Sequence, residues 1–267
     1  MSRRDNALDG LNLEGLGLEI GPSYSPLAAG HPGLNVRVMD HLDQQGLIEK
    51  YGSLGQDTSV ILPVDYVWDG HAYIDMVGEE RFDWILASHV IEHMPDIVGF
   101  INECAEILRP GGVISLVVPD KRFTFDHLRM TSSLAGVIDA ALTRRRIASA
   151  GTVVEALFHQ SAQDSSISGE PTDFKHAADL MRYWLERPAP DHYVDVHMWA
   201  FTASSFRLLI EELWMLGLIK VRETRFAAPD GVEFFVQLSA EGAGPDVSRL
   251  TLNRNALMEA GPLPGSR

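Results

Sequence analysis

Short apolar runs separated by helix-periodic polar segments dominate the first half of the chain. Residues 16–20, 36–39, 60–64 and 82–87 read as strands, and a fifth, 113–118, follows the turn Arg109-Pro110-Gly111-Gly112. Near-continuous apolar runs of this length suit strands covered on both faces. Between them, residues 43–51 and 96–108 read as helices. In the second, Ile97, Phe100, Ile101, Ile107 and Leu108 share one helical face. Strands alternating with helices predict a doubly wound α/β sheet, with any ligand at the carboxyl ends of the strands.

From residue 121 to 197 the pattern changes. Helices are predicted over 131–150, 152–160 and 173–187, with a polar stretch over 161–171 and no evident strand. This segment reads as a helical insertion or lid. An amphipathic helix over 202–216 then precedes two strand-like runs, 219–226 and 232–238, joined by Pro229-Asp230-Gly231. That turn chemistry pairs them as an antiparallel hairpin. The expectation is one domain over 1–238, with core segments 15–125 and 200–238 around an insertion at 126–199. A loosely held tail, rich in Gly, Pro and Asn, is expected over 239–267.

The first strand ends at Leu18-Glu19-Ile20-Gly21-Pro22-Ser23-Tyr24-Ser25, and the second closes on Asp40. A glycine after the first strand, with an acidic residue about 20 positions on, is the layout of a nucleoside-binding corner. Ser23 and Ser25 stand where a dinucleotide fingerprint needs glycines, so a pyrophosphate fits poorly. An adenosine without phosphate, as in S-adenosylmethionine, fits better. Gly21 would admit close backbone approach, Glu19 would accept a hydrogen bond from the ligand's ammonium, and Asp40 would accept two from a ribose.

Charge narrows the partners. Against 37 acidic residues the chain has 22 basic ones, a net charge of −15. The only basic cluster, Arg144-Arg145-Arg146, reads as a solvated helix face, so nucleic acid is not expected. The lone cysteine, Cys104, excludes an intrachain disulfide and reads as a small buried hydrophobe. No signal-peptide core follows residues 1–5, and no run reaches the ~18 apolar residues of a membrane span. A cytoplasmic protein is expected.

Directly after the fourth strand stands Ser88-His89-Val90-Ile91-Glu92-His93. His-x-x-Glu-His matches an inverted zinc-peptidase pattern, which on a helix would offer His89 and His93 as ligands. Pro95 disfavours helix at Met94, and no third ligand is identifiable, so no metal is expected. The fifth strand runs out into Pro119-Asp120-Lys121, at the ligand edge of the sheet. Residues 191–199 gather two histidines, two carboxylates and two aromatics, which would line an acceptor pocket or belong to the insertion's interface.

Taken together, residues 18–23, 38–40, 82–93, 107–112 and 117–122 resemble the class I S-adenosylmethionine-dependent methyltransferases, more narrowly bacterial methyltransferase-domain proteins associated with glycan or lipid modification. The resemblance implies a Rossmann-like, seven-stranded sheet whose last strand is antiparallel. It also implies that Glu19, Gly21 and Ser23 surround the methionine part of S-adenosylmethionine, Asp40 holds the ribose, Asp65 lies near the adenine amino group, and Ser88 and His89 line the sulfonium side. The expected reaction is methyl transfer to an oxygen or nitrogen of a small-molecule or glycan acceptor. A base is needed near neutral pH, so His89 or His93 is the expected base or orienter, with Asp120 and His197 as further candidates. A cofactor-binding accessory protein and a nicotinamide-dependent oxidoreductase are the competing readings.

Overall fold

The computed structural model describes residues 2–159, 178–179, 181–183, 186 and 194–260. Seven strands form one sheet in the order β3-β2-β1-β4-β5-β7-β6. They are β1 (Leu16–Ile20), β2 (Asn35–Asp40), β3 (Tyr66–Val67), β4 (Phe82–Ser88), β5 (Leu108–Pro119), β6 (Arg222–Asp230) and β7 (Glu233–Ser239). The first five run parallel to one another, while β7 is antiparallel to both β5 and β6. The predicted hairpin is therefore present, and its second strand lies inside the sheet.

Side chains alternate across the sheet, as a period of two requires. Ile85 and Ala87 of β4, with Ile114, Leu116 and Val118 of β5, enter the larger core. Helices α3 (Tyr73–Val77), α4 (Ile97–Glu106), α5 (Leu134–Leu142), α6 (Ala150–His159) and α7 (Ala203–Met215) contribute to the same core. Trp84 and Leu86 face the other way, against Ala7 and Leu8 of α1 (Arg3–Leu8) and the loop at Leu27 and Ala28. Gly17 makes that second core possible: a Cβ there would lie 2.1 Å from the Trp84 ring. Cys104 is buried in α4, as expected.

Several boundaries differ from the sequence reading. Residues 60–64 form no strand. Pro63 has no N–H for a ladder, Val60 is exposed, and the third strand is the two-residue β3 further on. The Arg109–Gly112 turn is absorbed into β5 as an irregularity: Phe82 pairs with Leu108 and Trp84 with Val113, and Gly111 takes φ +77. The helix expected over 131–150 is interrupted after α5, where Arg144 adopts φ +46, so the arginine triplet lies in a turn and not on a helix face. The stretch 161–171, and most of the helix expected over 173–187, lie outside the described residues.

Beyond residue 240, where periodicity is weak, α8 (Arg249–Glu259) docks on α7 through polar contacts. Ser204 donates to Glu259 from its backbone (2.9 Å) and hydroxyl (2.7 Å), and Arg249 pairs with Glu212. Hydrophobic periodicity cannot report a helix held this way. No helix among the described residues is long and apolar enough to cross a membrane.

Candidate active site

The carboxyl ends of β1, β2 and β4 open into a cavity of about 640 Å³. Its first wall is the turn after β1. The Gly21 N–H donates to the Met39 carbonyl (2.8 Å), Gly21 takes φ +64, and Ser23 takes φ +47. Left-handed backbone folds the loop over β2, and at Gly21 a side chain would meet Val90 Cγ2 at 2.7 Å. Ser23 donates from its N–H (3.1 Å) and hydroxyl (3.3 Å) to Asp40 Oδ2. The buried Asp40 also accepts from the His41 N–H at 2.8 Å, and His41 Nδ1 lies 2.6 Å from the same Oδ1. Tyr51 donates to the Ser23 hydroxyl (3.1 Å) from α2 (Gln44–Ser53). Trp68 and Asp69, at the exit of β3, line the opposite side.

His89 and His93 form the far end of this cavity. The chain leaves β4 with His89 at φ +54, then makes a 3-10 turn over Ile91–His93. Such φ values are uncommon outside glycine; here the backbone is held by the His89 N–H donating to Val117 (2.9 Å). His89 Nε2 lies 2.8 Å from Glu233 Oε2, and Arg3 binds the other oxygen of Glu233 (2.6 Å) and the Ser88 hydroxyl (2.7 Å). Nε2 is thus placed to donate to the Glu233 carboxylate. Burial pushes the Glu233 pKa up, but the His89 and Arg3 contacts outweigh it and hold it below the usual range.

Behind His89 lies a denser cluster. Glu92 is fully buried, and neither carboxylate oxygen makes a hydrogen bond. Its Oε1 is 3.7 Å from His89 Nδ1, 4.0 Å from His93 Nε2 and 3.9 Å from His197 Nε2. The Glu92 carbonyl accepts from the Met198 (2.7 Å) and Trp199 (3.1 Å) N–H groups, which brings His197 beside His93, ring centroids 4.7 Å apart. His197 Nδ1 is 2.5 Å from Asp126 Oδ2, and His93 Nδ1 is 3.2 Å from Asp195 Oδ1. Arg129 anchors this segment, donating to Asp126 (3.0 Å) and to the His197 carbonyl (2.7 Å). Burial alone would lower the His93 pKa, yet Asp195 and Glu92 raise it. Pairing with His93, and then with Lys50, holds the Asp195 carboxyl far below its ordinary range despite partial burial. A smaller cavity of about 140 Å³, lined by Phe125, Leu157 and Val196, shares His93 and Asp195 with the main one.

Of the residues singled out by sequence, Gly21, Ser23, Asp40, His89 and His93 line the main cavity, and His197 lines the smaller one. Four others do not line either. Glu19 is buried and accepts from the Leu27 (2.7 Å), Ala28 (3.0 Å) and Ala29 (2.6 Å) N–H groups, so it clamps a loop and does not face the ligand space. Asp65 is exposed and accepts from the Val38 N–H (2.8 Å), whereas Asp69, four residues on, lines the cavity. Ser88 is bound to Arg3. Asp120 is locked to Arg122 by contacts of 2.9 and 2.6 Å and caps the following turn, so it is a structural ion pair. Sequence reasoning missed Trp68, Asp69, Asp126 and Glu233. Asp195 lay within the flagged 191–199 stretch, whose residues 191–193 are outside the described ones.

A seven-stranded sheet with one antiparallel strand, and an acidic residue closing the second strand over a nucleoside-sized cavity, define the class I methyltransferase type of fold. The chain belongs to the methyltransferase-domain family, whose model matches residues 17–213. It is similar to the ubiquinone biosynthesis O-methyltransferase of Rhodopseudomonas palustris (strain HaA2), 42% identical over 53 residues that cover 20% of this chain and 20% of that protein. The mitochondrial ubiquinone biosynthesis O-methyltransferase of Homo sapiens is 29% identical over 122 residues, covering 38% of this chain and 32% of that protein. The chain thus spans only a fifth to a third of the length of these curated relatives. Among solved structures, a SAM-dependent methyltransferase from Aquifex aeolicus aligns over 88% of each chain at 11% identity, TM-score 0.43.

Proposed function

We propose that this protein transfers a methyl group from S-adenosylmethionine to a hydroxyl of a small, partly apolar acceptor. The observation that carries this reading is a single cavity with an adenosine end, at Asp40 and Trp68, and an imidazole end, at His89. The ribose hydroxyls would join or replace the Ser23 and His41 contacts on Asp40, and the turn at Gly21 would lie along the methionine portion. S-adenosylmethionine supplies an electrophilic methyl on a sulfonium. The acceptor hydroxyl would lose its proton to the His89 imidazole as its oxygen bonds to the methyl carbon, the sulfur keeping the electron pair of the broken bond. Glu233 stabilises the resulting imidazolium through Nε2, as a carboxylate does behind any histidine base. Phe125, Leu157 and Val196 offer apolar walls for the acceptor. The names of the curated relatives support oxygen as the methylated atom.

The test is calorimetry with S-adenosylhomocysteine on the wild type and Asp40→Ala, followed by radiolabelled methyl transfer to a panel of phenols and glycans. Binding abolished by Asp40→Ala, with label in a phenol, is the expected result. An absence of binding to the wild type sinks the proposal.

A further inference from the structure

Glu92 poses a problem that methyl transfer does not solve. A buried carboxylate without a hydrogen bond is among the least favourable arrangements a fold can hold, and both Glu92 oxygens are in that state. What surrounds it is not a set of donors in contact but three imidazole nitrogens, His89 Nδ1 at 3.7 Å, His93 Nε2 at 4.0 Å and His197 Nε2 at 3.9 Å, of which the last two share a carboxylate-backed ring geometry. The ligand-capable atoms of Glu92, His93 and His197 all lie within 4.8 Å of one another. Ligands about 2.1 Å from a tetrahedral ion stand roughly 3.4 Å apart, so Glu92 has to approach each imidazole by about half an ångström, and no pair has to close by more than about 1.4 Å.

We infer that Glu92, His93 and His197 bind one divalent transition-metal ion of the zinc type. Both rings are prepared for it. The nitrogen facing away from Glu92 sits against a carboxylate in each, Asp195 for His93 and Asp126 for His197. At His197 this is the hydrogen-bonded outer shell that fixes a metal-binding imidazole with its lone pair toward the ion, and at His93 it is an ion-pair approach of 3.2 Å. The frame is rigid, because the Glu92 carbonyl is bonded to the backbone of Met198 and Trp199, and Arg129 ties Asp126 to the His197 carbonyl. Two imidazoles and one carboxylate select zinc, iron or cobalt over magnesium or calcium, which favour oxygen ligands. Three protein ligands leave a position open, and His93 lines both cavities. An acceptor oxygen on the ion would be deprotonated more readily, its proton passing to the His89 imidazole. This role rests on the methyltransferase reading; the binding of the ion does not.

The experiment is a Co²⁺ titration of untagged, chelator-stripped protein, read by its visible ligand-field bands, with Zn²⁺ as competitor. One Co²⁺ per chain is expected, displaced by Zn²⁺. Glu92→Gln and His197→Asn should each abolish the bands, and Asp126→Asn should weaken binding ~10–100-fold. Zn²⁺ should raise the melting temperature of the wild type and not that of Glu92→Gln. The bland alternative, in which protonated His93 and His197 neutralise Glu92 unaided, predicts no bands. Absence of saturable Co²⁺ binding to the wild type, or bands unchanged in Glu92→Gln and His197→Asn, overturns the inference. Calorimetry with S-adenosylhomocysteine on the same samples separates the two readings: binding of that ligand without Co²⁺ overturns the metal site alone, and Co²⁺ binding without it overturns methyl transfer alone.

Discussion

Replacing Gly21 by alanine perturbs the cofactor turn at one atom, and the consequence can be worked from geometry. At φ +64 a non-glycine residue costs about 1–2 kcal/mol, and the added Cβ falls 2.7 Å from Val90 Cγ2. Relieving that overlap against a buried Val90 adds about 1–3 kcal/mol. A net destabilisation of roughly 2–5 kcal/mol is expected, against the ~5–15 kcal/mol stability of an ordinary domain, so the variant should still fold at low temperature. The two contributions are separable, because Val90→Ala removes the overlap and leaves the backbone strain. The double variant should therefore be more stable than the sum of the single effects predicts, by about 1–3 kcal/mol. Urea unfolding of the four proteins measures the coupling, and S-adenosylhomocysteine calorimetry should show Gly21→Ala binding at least ~10-fold more weakly, about 1.4 kcal/mol. Additive stabilities, with unchanged affinity in Gly21→Ala, would refute the reasoning.

Three further outcomes are expected. His89→Gln should lower kcat about 10²–10⁴-fold with little change in cofactor affinity, the range of a lost general base; an unchanged rate over pH 6 to 9, in roughly that window, would remove His89 from the chemistry. Gly17→Ala should destabilise far more than a surface change, by over ~3 kcal/mol, because its Cβ would overlap the Trp84 ring; native-like chemical melts would show that β1 and β4 separate more easily than the packing implies. Glu80, held below its ordinary pKa first by its hydrogen bonds to Arg37 and Tyr66, stabilises the fold above its unfolded value of about 4.3. That contribution disappears as pH falls through the lower folded-state value, so the urea-midpoint gap between wild type and Glu80→Gln should shrink below about pH 4. A gap constant down to about pH 3 contradicts the assignment.

The parts of this molecule legible in the sequence are those whose burial is periodic or whose partners are close along the chain. β1, β2 and β4 follow from their apolar runs, and Gly21 and Asp40 from the spacing between the first two strand ends. The errors have one physical source: periodicity reports burial and not what a polar group will bond to. The apolar run at 60–64 suggested a strand that Pro63 prevents, and placing that strand too early pointed to Asp65, whereas the acid that lines the cavity there is Asp69. Glu19 sits in a motif position, but the three N–H groups that occupy it come from a loop with no distinguishing composition.

At the imidazole end of the cavity, His89, His93 and His197 were legible as separate candidates but their grouping was not. The proposed cofactor contacts come from residues 21–69 and are largely local, whereas His93, Asp126, Asp195, His197 and Glu233 meet only because the insertion returns to the sheet. The return is fixed by two backbone bonds onto the Glu92 carbonyl, and β7 then carries Glu233 beside β5 to reach His89. Asp195 also accepts from Lys50 of α2 at 2.9 Å, so one carboxylate joins the cofactor wall to the insertion's end. On the proposed reading, the acceptor walls at Leu157 and Val196 belong to that same insertion, so changes there should alter the acceptor without disturbing the nucleoside corner. Such a division would let a shared sheet serve different acceptors: the local half would bind the methyl donor, and the long-range half, built on Glu92 and its three histidine neighbours, would select what receives it.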